Sequence, residues 1–340
     1  MSAAIDIISV GMVTAVGLDA PSACAAMRAR LDGFQETGFI GRGGAPQIGA
    51  PVLLPRNWIG EKRMAHLAAG AICEAFESRP EARGQTALIL CLAEDNRPGR
   101  PIRDPLRLLR RIAEMVEVAP HSRSRVIAHG RPSGHVALEH TRKFLASDEL
   151  PYVMIVGVDS YLSTDAISHY GGQSRLLSPD NPNGFIPGEA AAAVLCARGN
   201  KGGFRLRGLG LAREKAFIYN REDLPLRGDG LAEAYRIALK ETGIDLGLIG
   251  YRISDLIGEQ YWFKQNAFAA QRVQRVRNEF QDLWSPGESL GNVGAAVVPI
   301  MLGMAHTAAR KGYAAGNPVL IDASNDSGAC GAAVFLARAA

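Results

Sequence analysis

Short apolar runs recur along the whole chain, with helical patterns between many of them. Runs of this kind, bounded by turn residues, are typical of buried strands. They are IDIISVGMV, TALILCLA, YVMIVGV, AAAAVLCA, FRLRGLGLA, SDLIGE, PVLIDAS and AAVFLAR. Strands that alternate with helices predict a layered α/β fold.

Helical periodicity is clearest in two segments. In GLAEAYRIALKETG, Asp229 is a candidate N-cap, Gly243 is a candidate stop, and the predicted buried face carries Leu231, Ala234, Tyr235, Ala238 and Leu239. The segment SGHVALEHTRKFLAS is predicted to bury Val136, Ala137, Thr141, Phe144 and Leu145. Ser133 stands where its hydroxyl can accept a hydrogen bond from the first turn of this second helix.

The composition is that of a chain with a large core. Its 340 residues are 47% hydrophobic and 21% charged, which suits one large domain or two fused halves. A weak internal echo favours two halves, because a glycine-containing turn opens a helix near Gly134 and again near Gly287 and Gly291. The halves are predicted to meet at RGNKGG, which divides the chain into residues 1–200 and 201–340.

Charge and cysteine usage exclude several classes of protein. The net charge of +4 comes from 38 basic and 34 acidic residues, too small an excess to predict nucleic-acid binding. The five cysteines form no CxxC pair, so we expect no metal site, no disulfide framework and a reducing cytoplasm. The N-terminal segment has no basic leader, which argues against a signal peptide. No cofactor is expected.

One uncharged segment, Ser289 to Ala309, approaches the length of a membrane span. Its composition nevertheless favours a helix packed inside a globular core, because it includes Gly291, Asn292, Gly294, Pro299, Gly303 and His306. No membrane span is therefore predicted.

Five stretches are similar to segments of one known family, and two parts of them, NGFIPGEAAAA and GESLGNVGAA, combine several glycines at fixed spacing with the strands and helices expected beside them. The five stretches are SVGMVTAVG, EKRMAHLAAGAICEAF, RLLSPDNPNGFIPGEAAAAVLCAR, SPGESLGNVGAAVVPIMLGMA and DASNDSGACGAAVFLAR. Together they resemble the β-ketoacyl synthases of the thiolase superfamily over almost the full length of the chain. The resemblance implies an α/β fold of the thiolase-like five-layer αβαβα type, made of two duplicated halves, and a homodimer.

The resemblance fails at the residues that the family uses for chemistry. In that family a cysteine at a helix N-terminus is acylated, and two histidines polarise the incoming thioester and stabilise the carbanion. The resemblance places Arg131 at the cysteine position and Glu288 at the second histidine position. The first histidine position falls on Gln260, or on Glu259 if the register slips, and Ser327 lies near the place of a gating phenylalanine. No catalytic residue is therefore expected.

Two residues near the predicted site have two open interpretations each. Arg131 either forms a buried ion pair with Glu288 or points to solvent from a shifted loop. Ser133 is either a helix cap or a fallback nucleophile, and the absence of a Gly-x-Ser-x-Gly elbow favours the cap. The bases that could serve Ser133 are His129, His135 and His140, of which the last two are expected to face solvent.

The pocket that the resemblance implies is bordered by two further residues. Cys330 is either a reactive thiol or a small buried side chain. Glu189 is expected to bond backbone N–H groups near the pocket or the dimer interface, with a general-base role as the alternative. Further along the chain, Tyr261, Trp262 and Phe263 either line an apolar groove or pack in the core.

The stretch RPGRPIRDPLRLLRR is strongly basic. Besides Asp104 it holds Arg97, Arg100, Arg103, Arg107, Arg110 and Arg111. We expect a surface loop that runs into a helix. It either docks an acidic carrier protein or another acidic partner, or is an ordinary solvated face.

These observations favour a thiolase-fold protein without the cysteine and histidines of the β-ketoacyl synthases. Such a protein would bind a protein partner or an acyl-like ligand without condensing acyl groups. The alternative is a working enzyme, either an acyltransferase or hydrolase that uses Ser133, or a 3-oxoacyl carrier-protein synthase.

Overall fold

The computed structural model describes residues 4–41, 44–55, 57–119, 121–147, 150–199, 203–276, 278 and 280–338. The strands are β1 Ile5–Val13, β2 Gln35–Ile40, β3 Pro46–Gly49, β4 Thr86–Cys91, β5 Arg125–Ile127, β6 Tyr152–Ser160, β7 Glu189–Arg198, β8 Gly203–Arg213, β9 Tyr251–Ser254, β10 Asp282–Trp284, β11 Val319–Ser324 and β12 Ala329–Arg338. The helices are α1 Ala20–Arg28, α2 Gly60–Glu77, α3 Pro105–Met115, α4 Ser133–Phe144, α5 Thr164–Gly172, α6 Asp229–Thr242, α7 Gln260–Val273, α8 Gly287–Leu290 and α9 Val297–Lys311. Seven of the eight apolar runs proposed from the sequence form most of a strand, whereas SDLIGE has only Ser254 in β9 and otherwise follows that strand.

Ten of the described strands form one mixed sheet in the order β10-β9-β11-β12-β8-β1-β7-β6-β4-β5. This sheet consists of two five-stranded groups, and in each group the strands follow the order third, second, fourth, fifth, first. The fifth strand of each group is antiparallel to both of its neighbours, and the other strand pairs within each group are parallel. The pair β1–β8, which joins the two groups, is antiparallel. The duplication predicted from the sequence is confirmed. Its predicted junction, RGNKGG at residues 198–203, stays a prediction, because residues 200–202 lie outside the described residues.

Both faces of the sheet are covered, so the central strands are buried on two sides. In β4, Ile89 and Cys91 join the core cluster of α4 and α9, whereas Leu88 and Leu90 join that of α2 and α3. In the second half, alternate residues of β11 and β12 pack against α6 and α7. The order of layers is therefore α2–α3, the five strands of the first half, α4–α9, the five strands of the second half, and α6–α7, which confirms the five-layer expectation.

Two glycines let helices lie directly on the strands at matching places in the halves. A Cβ added to Gly11 of β1 would lie 2.1 Å from the carbonyl oxygen of Ala71 in α2. A Cβ added to Gly210 of β8 would lie 2.0 Å from the carbonyl oxygen of Ala234 in α6. Because real Cβ atoms do not approach an oxygen so closely, only glycine suits these positions without a shift of the helix.

The two halves are joined where β1 meets β8. Asp6 lies opposite Arg205 in this register. Arg205 donates from Nε to Oδ1 at 2.7 Å and from Nη2 to Oδ2 at 2.8 Å, and both residues are buried. This two-bond geometry is the strongest form of an arginine–carboxylate contact, so the pair fixes the register between the halves.

The ends of α6 confirm one expectation and correct another. Gly243 ends the helix in a left-handed conformation, with φ of 71°, as predicted. The cap position at the other end is held by Gly228, with φ of 67°, and Asp229 is the first helical residue and makes no capping bond. The buried face agrees fully with the prediction.

Helix α4 differs from the prediction at its N-terminus and on its buried face. Pro132 occupies the cap position, and Ser133 is already helical. Leu138 is fully buried while Val136 is only half-buried, so the face is rotated slightly from the predicted one. The uncharged segment that begins at Ser289 forms the end of α8, a 3-10 turn and α9. None of the described helices combines the length and the apolar character that crossing a bilayer requires.

Substitution of His135 by glutamine should weaken the acid sensitivity of the fold. His135 is completely buried in α4, with Nε2 3.1 Å from the carbonyl oxygen of Ile321, and burial lowers its pKa to about 4. The unfolded chain takes up a proton near pH 6.5, so stability from this residue is present above that pH and is lost as the pH falls toward 4. We expect the wild-type protein to lose about 3 kcal/mol more than His135→Gln between pH 7 and pH 4.

Urea unfolding of both proteins across this pH range measures the difference. Thr141→Val is the matched control, since it removes a buried polar group of the same helix that does not titrate. This variant should keep the wild-type pH dependence. If the free energy of unfolding depends on pH equally in His135→Gln and in the wild-type protein, the imidazole does not titrate as a buried group.

Candidate functional site

The turn between β5 and α4 directs Arg131 into the protein. Gly130 has φ of 60°, and an added Cβ would lie 2.3 Å from the carboxylate of Glu94. Glycine is therefore required both for the left-handed turn and for the close approach. The turn places Arg131 immediately before α4, with only 2% of the residue exposed.

Arg131 is held by three groups that come from the second half of the chain. Its Nη1 donates to Oδ2 of Asp255 at 3.1 Å, and its Nη2 lies 3.5 Å from Oδ1 of Asp326. The guanidinium carbon lies 3.8 Å from the ring centroid of Trp262, a cation–π distance. Both interpretations of Arg131 offered by the sequence are therefore wrong, because it neither pairs with Glu288 nor points to solvent.

Burial and pairing shift the pKa of each member of this ion pair in opposite directions. Burial alone would lower the pKa of Arg131, but Asp255 and Asp326 raise it overall, so the guanidinium stays charged. Burial raises the pKa of Asp255 to about 6, and Arg131 offsets part of that rise. The pair is consequently ionised at neutral pH and is excluded from water.

The other positions that the resemblance assigned to the site lie elsewhere. Glu288 is exposed in α8 and borders a separate pocket of about 220 Å³ with Arg28 and Trp284. Gln260 is exposed at the first position of α7. Neither contacts Arg131, and the residue that follows β9 and meets Arg131 is Asp255.

Glu259 is buried and belongs to a second ion-pair cluster beside the first. Arg175 donates from Nε and Nη2 to the two carboxylate oxygens of Glu259, both at 2.7 Å. Its Nη1 donates to Oδ2 of Asp326 at 2.6 Å and also contacts the hydroxyl of Tyr219. Asp326 therefore lies between Arg131 and Arg175 and links the two clusters.

A third buried pair joins Arg97 to Asp159. Arg97 Nη2 donates to Oδ1 of Asp159 at 2.6 Å, and its guanidinium carbon lies 4.1 Å from the ring centroid of Tyr161. Asp159 Oδ2 accepts a hydrogen bond from the backbone N–H of Ala295, just before α9. Burial raises the pKa of Asp159, and Arg97 counteracts this effect. Arg97 was expected on a basic surface, and this expectation is wrong because only 7% of the residue is exposed.

The rest of the basic stretch lies nearer the surface. Arg100 pairs with Asp95 at 2.5 Å. The exposed members are Arg103, Arg107, Arg110 and Arg111, of which the last three belong to α3. Of the three aromatic residues in α7, Trp262 is buried, Tyr261 is half-buried and Phe263 is 48% exposed.

Three clusters of charge border one cavity of about 590 Å³, here called the arginine cavity. Its lining comes from the ends of strands in both halves and from the loops that follow them. The residues are Glu94, Asn96, Arg97, Pro98, Arg131, Tyr161, His169, Tyr170, Gln173, Phe217, Tyr219, Asn220, Arg221, Asp326 and Ser327.

The hydroxyl of Ser133 is hydrogen-bonded to the backbone and is not positioned as a nucleophile. Its Oγ accepts from the N–H of His129 at 2.9 Å and donates to the carbonyl oxygen of Leu92 at 3.3 Å. The residue is completely buried, and no imidazole of the described residues hydrogen-bonds to its hydroxyl. His135 was expected to face solvent, which is wrong, while His140 is half-buried beside Arg125.

Ser327 lines the arginine cavity, whereas Cys330 lies three residues further along the chain, in β12, and is not part of the lining. Cys330 is 2% exposed and contacts Oγ of Ser324 at 3.4 Å. Burial raises the pKa of its thiol to about 12, so it is protonated at neutral pH. Ser327 is exposed and bonds to Oδ1 of Asn325 at 3.0 Å.

Glu189 has the backbone-bonding role expected for it, together with a charged partner. It accepts from the N–H of Val52 at 2.9 Å and from Oγ of Ser160 at 3.2 Å. Arg63 contacts both of its oxygens. The carboxylate thus holds the segment before α2 against the start of β7, and its lone pairs are engaged.

Sequence reasoning missed four charged residues of the site. Asp159, Arg175, Asp255 and Asp326 were not singled out, although they form most of the contacts just described. One signal was available for two of them. Asp159 stands next to the end of β6 and Asp255 directly follows β9, and strand ends of α/β folds are where functional groups converge.

No protein-family model and no curated protein sequence matches the chain. Solved structures do, and they place the fold among the thiolase-like ketosynthases and chain length factors. The ishigamide ketosynthase/chain length factor matches with a TM-score of 0.79 and 16% identity, with 100% of both chains covered.

Two further solved structures give similar values. A β-ketoacyl synthase from Burkholderia phymatum STM815 has a TM-score of 0.76 and 14% identity over 100% of both chains. A ketosynthase in complex with its chain length factor from Xenorhabdus doucetiae has a TM-score of 0.79 and 14% identity, and the match covers 99% of this chain and 98% of the other. At these identities the likeness shows the fold alone.

Proposed function

We propose that the protein is a non-condensing member of the ketosynthase fold that acts by binding a protein partner. The observation that carries the proposal is the Arg131–Asp255 pair, which fills the place before α4 where the resemblance puts an acylated cysteine. A guanidinium is not a nucleophile. Its partner is a carboxylate that would oppose the negative charge of a developing enolate, whereas the condensation chemistry needs donors there.

The cysteines of the chain also speak against acyl transfer through sulfur. Cys24, Cys91, Cys196 and Cys330 are buried, and burial raises the pKa of each of their thiols. The fifth, Cys73, is half-buried in α2, on the outer layer of the fold. Since the thiolate is the reactive form, none of the four buried thiols is activated.

A partner role is supported by the names of the structural neighbours and by one surface. Two of the matching structures are described as a ketosynthase with a chain length factor, which is a property of those proteins. On this chain, α3 exposes Arg107, Arg110 and Arg111 together with Leu106, which is 60% exposed. Such a face suits an acidic partner, either a carrier protein or a ketosynthase subunit, and a second copy of the chain is a further candidate.

The proposal predicts that acyl thioesters leave no covalent adduct on the protein. The purified chain is incubated with acetyl, malonyl and hexanoyl thioesters, and its intact mass is measured, with an active β-ketoacyl synthase as the positive control. An unchanged mass is expected because no activated nucleophile faces the arginine cavity. A stable adduct on Ser133 or Cys330 would contradict the proposal and establish the alternative, an acyltransferase or hydrolase.

Partner binding is measured separately by size-exclusion chromatography with light scattering. The chain is purified alone and after co-expression with candidate ketosynthase and carrier-protein partners. A stoichiometric complex that is lost in the triple variant Arg107→Glu, Arg110→Glu, Arg111→Glu supports the proposal. A strictly monomeric chain that binds none of these candidates would contradict it.

A further inference from the structure

The arginine cavity contains two tyrosine hydroxyls that have no hydrogen-bond partner. Tyr161 and Tyr170 are only 5% and 2% exposed, and both line the cavity. Their rings pack on each other with centroids 5.5 Å apart, so the two side chains form one continuous part of the cavity wall. Among the described residues neither hydroxyl makes a hydrogen bond, and neither oxygen is one of the unpaired atoms sealed from solvent, so both are open to the cavity.

Two arginines beside these tyrosines also have unused donors. Arg97 Nε and Nη1 and Arg131 Nη2 are buried and lack a hydrogen-bond partner among the described residues. Arg97 stacks on Tyr161, and Asp326 is too far from Arg131 Nη2, at 3.5 Å, for a good hydrogen bond. These nitrogens have almost no accessible surface, so the arginines contribute positive charge behind the tyrosine hydroxyls rather than donors that a ligand can reach.

Burial keeps the tyrosine hydroxyls in the donor form. It raises the pKa of Tyr161 and of Tyr170 well above the ordinary value for tyrosine. Both side chains are therefore neutral donors at pH 6 to 8. Two neutral hydroxyls and the nearby guanidinium charges form a set that fits one carboxylate group, which accepts several hydrogen bonds at once.

The charges around the cavity decide how many negative charges it can take. Four arginines, Arg97, Arg131, Arg175 and Arg221, face five carboxylates, Glu94, Asp159, Asp255, Glu259 and Asp326. Burial raises the pKa of Glu94, and Asp326 and Asp159 raise it further, while Arg97 lowers it. Among the residues that line the cavity itself, Arg97, Arg131 and Arg221 outnumber Glu94 and Asp326 by one, so a single added negative charge is tolerated better than two.

The outer wall of the cavity is less polar and open. Phe217 is half-buried and Tyr219 is 41% exposed, and Pro98 lies opposite in the loop after β4. Flat apolar surfaces of this kind suit the organic part of a small ligand. The volume of about 590 Å³ lies within the range of small-molecule sites.

We propose that the arginine cavity binds a small organic monocarboxylate. Its carboxylate accepts from the hydroxyls of Tyr161 and Tyr170 in the field of Arg97 and Arg131, and its apolar body packs against Phe217 and Tyr219. The inference goes beyond the partner-binding function, since a ligand in this cavity requires neither condensation nor a partner. It names a ligand class for the cavity and Tyr161 and Tyr170 as its recognition residues.

Benzoate is the probe, and binding to the full-length chain is measured by calorimetry at pH 8. The double variant Tyr161→Phe, Tyr170→Phe removes two hydroxyl oxygens that have no hydrogen-bond partner, so it should fold normally. Its Kd for benzoate should be about tenfold higher than that of the wild-type protein, or more. Tyr313→Phe, which lies beside the separate pocket that Glu288 borders, is the matched control and should bind like the wild-type protein. Benzamide and inorganic phosphate test the need for one negative charge and should bind at least tenfold more weakly than benzoate.

Removal of one negative charge gives an independent readout. The carboxylate of Glu94 lines the cavity and repels a bound carboxylate, so Glu94→Gln should bind benzoate several-fold more tightly than the wild-type protein at pH 8. The proposal is overturned if benzoate does not bind saturably, if benzamide binds equally well, or if the double variant binds like the wild-type protein. Acyl-adduct and partner assays are separate measurements, so failure here leaves the proposed function standing.

Discussion

Asp255→Ala will lower the free energy of unfolding by about 3–5 kcal/mol, because it leaves Arg131 charged and without its nearest partner in a water-free site. Asp326 compensates only weakly, since it lies 3.5 Å from Arg131 and is already bonded to Arg175. Urea denaturation at pH 7.5 measures the effect. The stacking of Arg131 on Trp262 stays in place, so the loss reports mainly on the unpaired charge.

Two variants test this explanation. Arg131→Met combined with Asp255→Ala removes both charges and should recover much of the stability that Asp255→Ala loses, because no buried charge is then unpaired. Glu233→Ala breaks an exposed pair with Arg236 of α6 and should change stability by less than about 1 kcal/mol. If Asp255→Ala costs no more than Glu233→Ala, the pair is not a buried ion pair in solution.

Gly210→Ala is expected to destabilise the protein by about 4 kcal/mol or more, or to prevent soluble expression. The added methyl group would lie 2.0 Å from the carbonyl oxygen of Ala234 and 3.0 Å from the backbone nitrogen of Ala238. Both contacts are with the backbone of α6, which cannot move aside as a flexible side chain can. Soluble yield and urea denaturation measure the result.

Gly38→Ala is the matched control for this substitution. Gly38 lies in β2, and a Cβ added there would meet no atom within 4 Å. Its conformation is one that other residues adopt, so the variant should be as stable as the wild-type protein or slightly more stable. A Gly210→Ala protein with wild-type stability would mean that α6 does not rest directly on β8.

Much of the fold follows from local patterns, and this explains why the sequence predicts it. The run EAAAAVLCAR is apolar at nearly every position because β7 is covered on both faces. A short, continuous apolar run of this kind indicates a buried strand from the sequence alone. The duplication shows in the sequence only as repeated glycine turns. Glycine is required at these turns because of close packing: an added Cβ would lie 2.6 Å from Val298 at Gly134, and 2.1 Å and 2.3 Å from backbone carbonyl oxygens at Gly287 and Gly291.

The site could not be predicted to the same degree because its contacts join distant parts of the chain. Arg131 meets Asp255 across 124 residues, and Arg175 meets Asp326 across 151. Sequence similarity pointed instead to Glu288, which has the right glycine neighbours but lies exposed in a four-residue helix. Likewise, a run of arginines indicated a surface, and only the packing of Tyr161 and Asp159 draws Arg97 inside.

The mutual dependence of Arg131 and Asp255 makes their arrangement hard to reverse. A cysteine installed at position 131 would strand a carboxylate in the interior, and an imidazole installed at position 255 would face a guanidinium of like charge whenever it is protonated. Either single exchange passes through a poorly folded intermediate. To become a catalyst with a cysteine at position 131, this chain would therefore have to change both positions together. This requirement separates the two kinds of protein even though they share one fold.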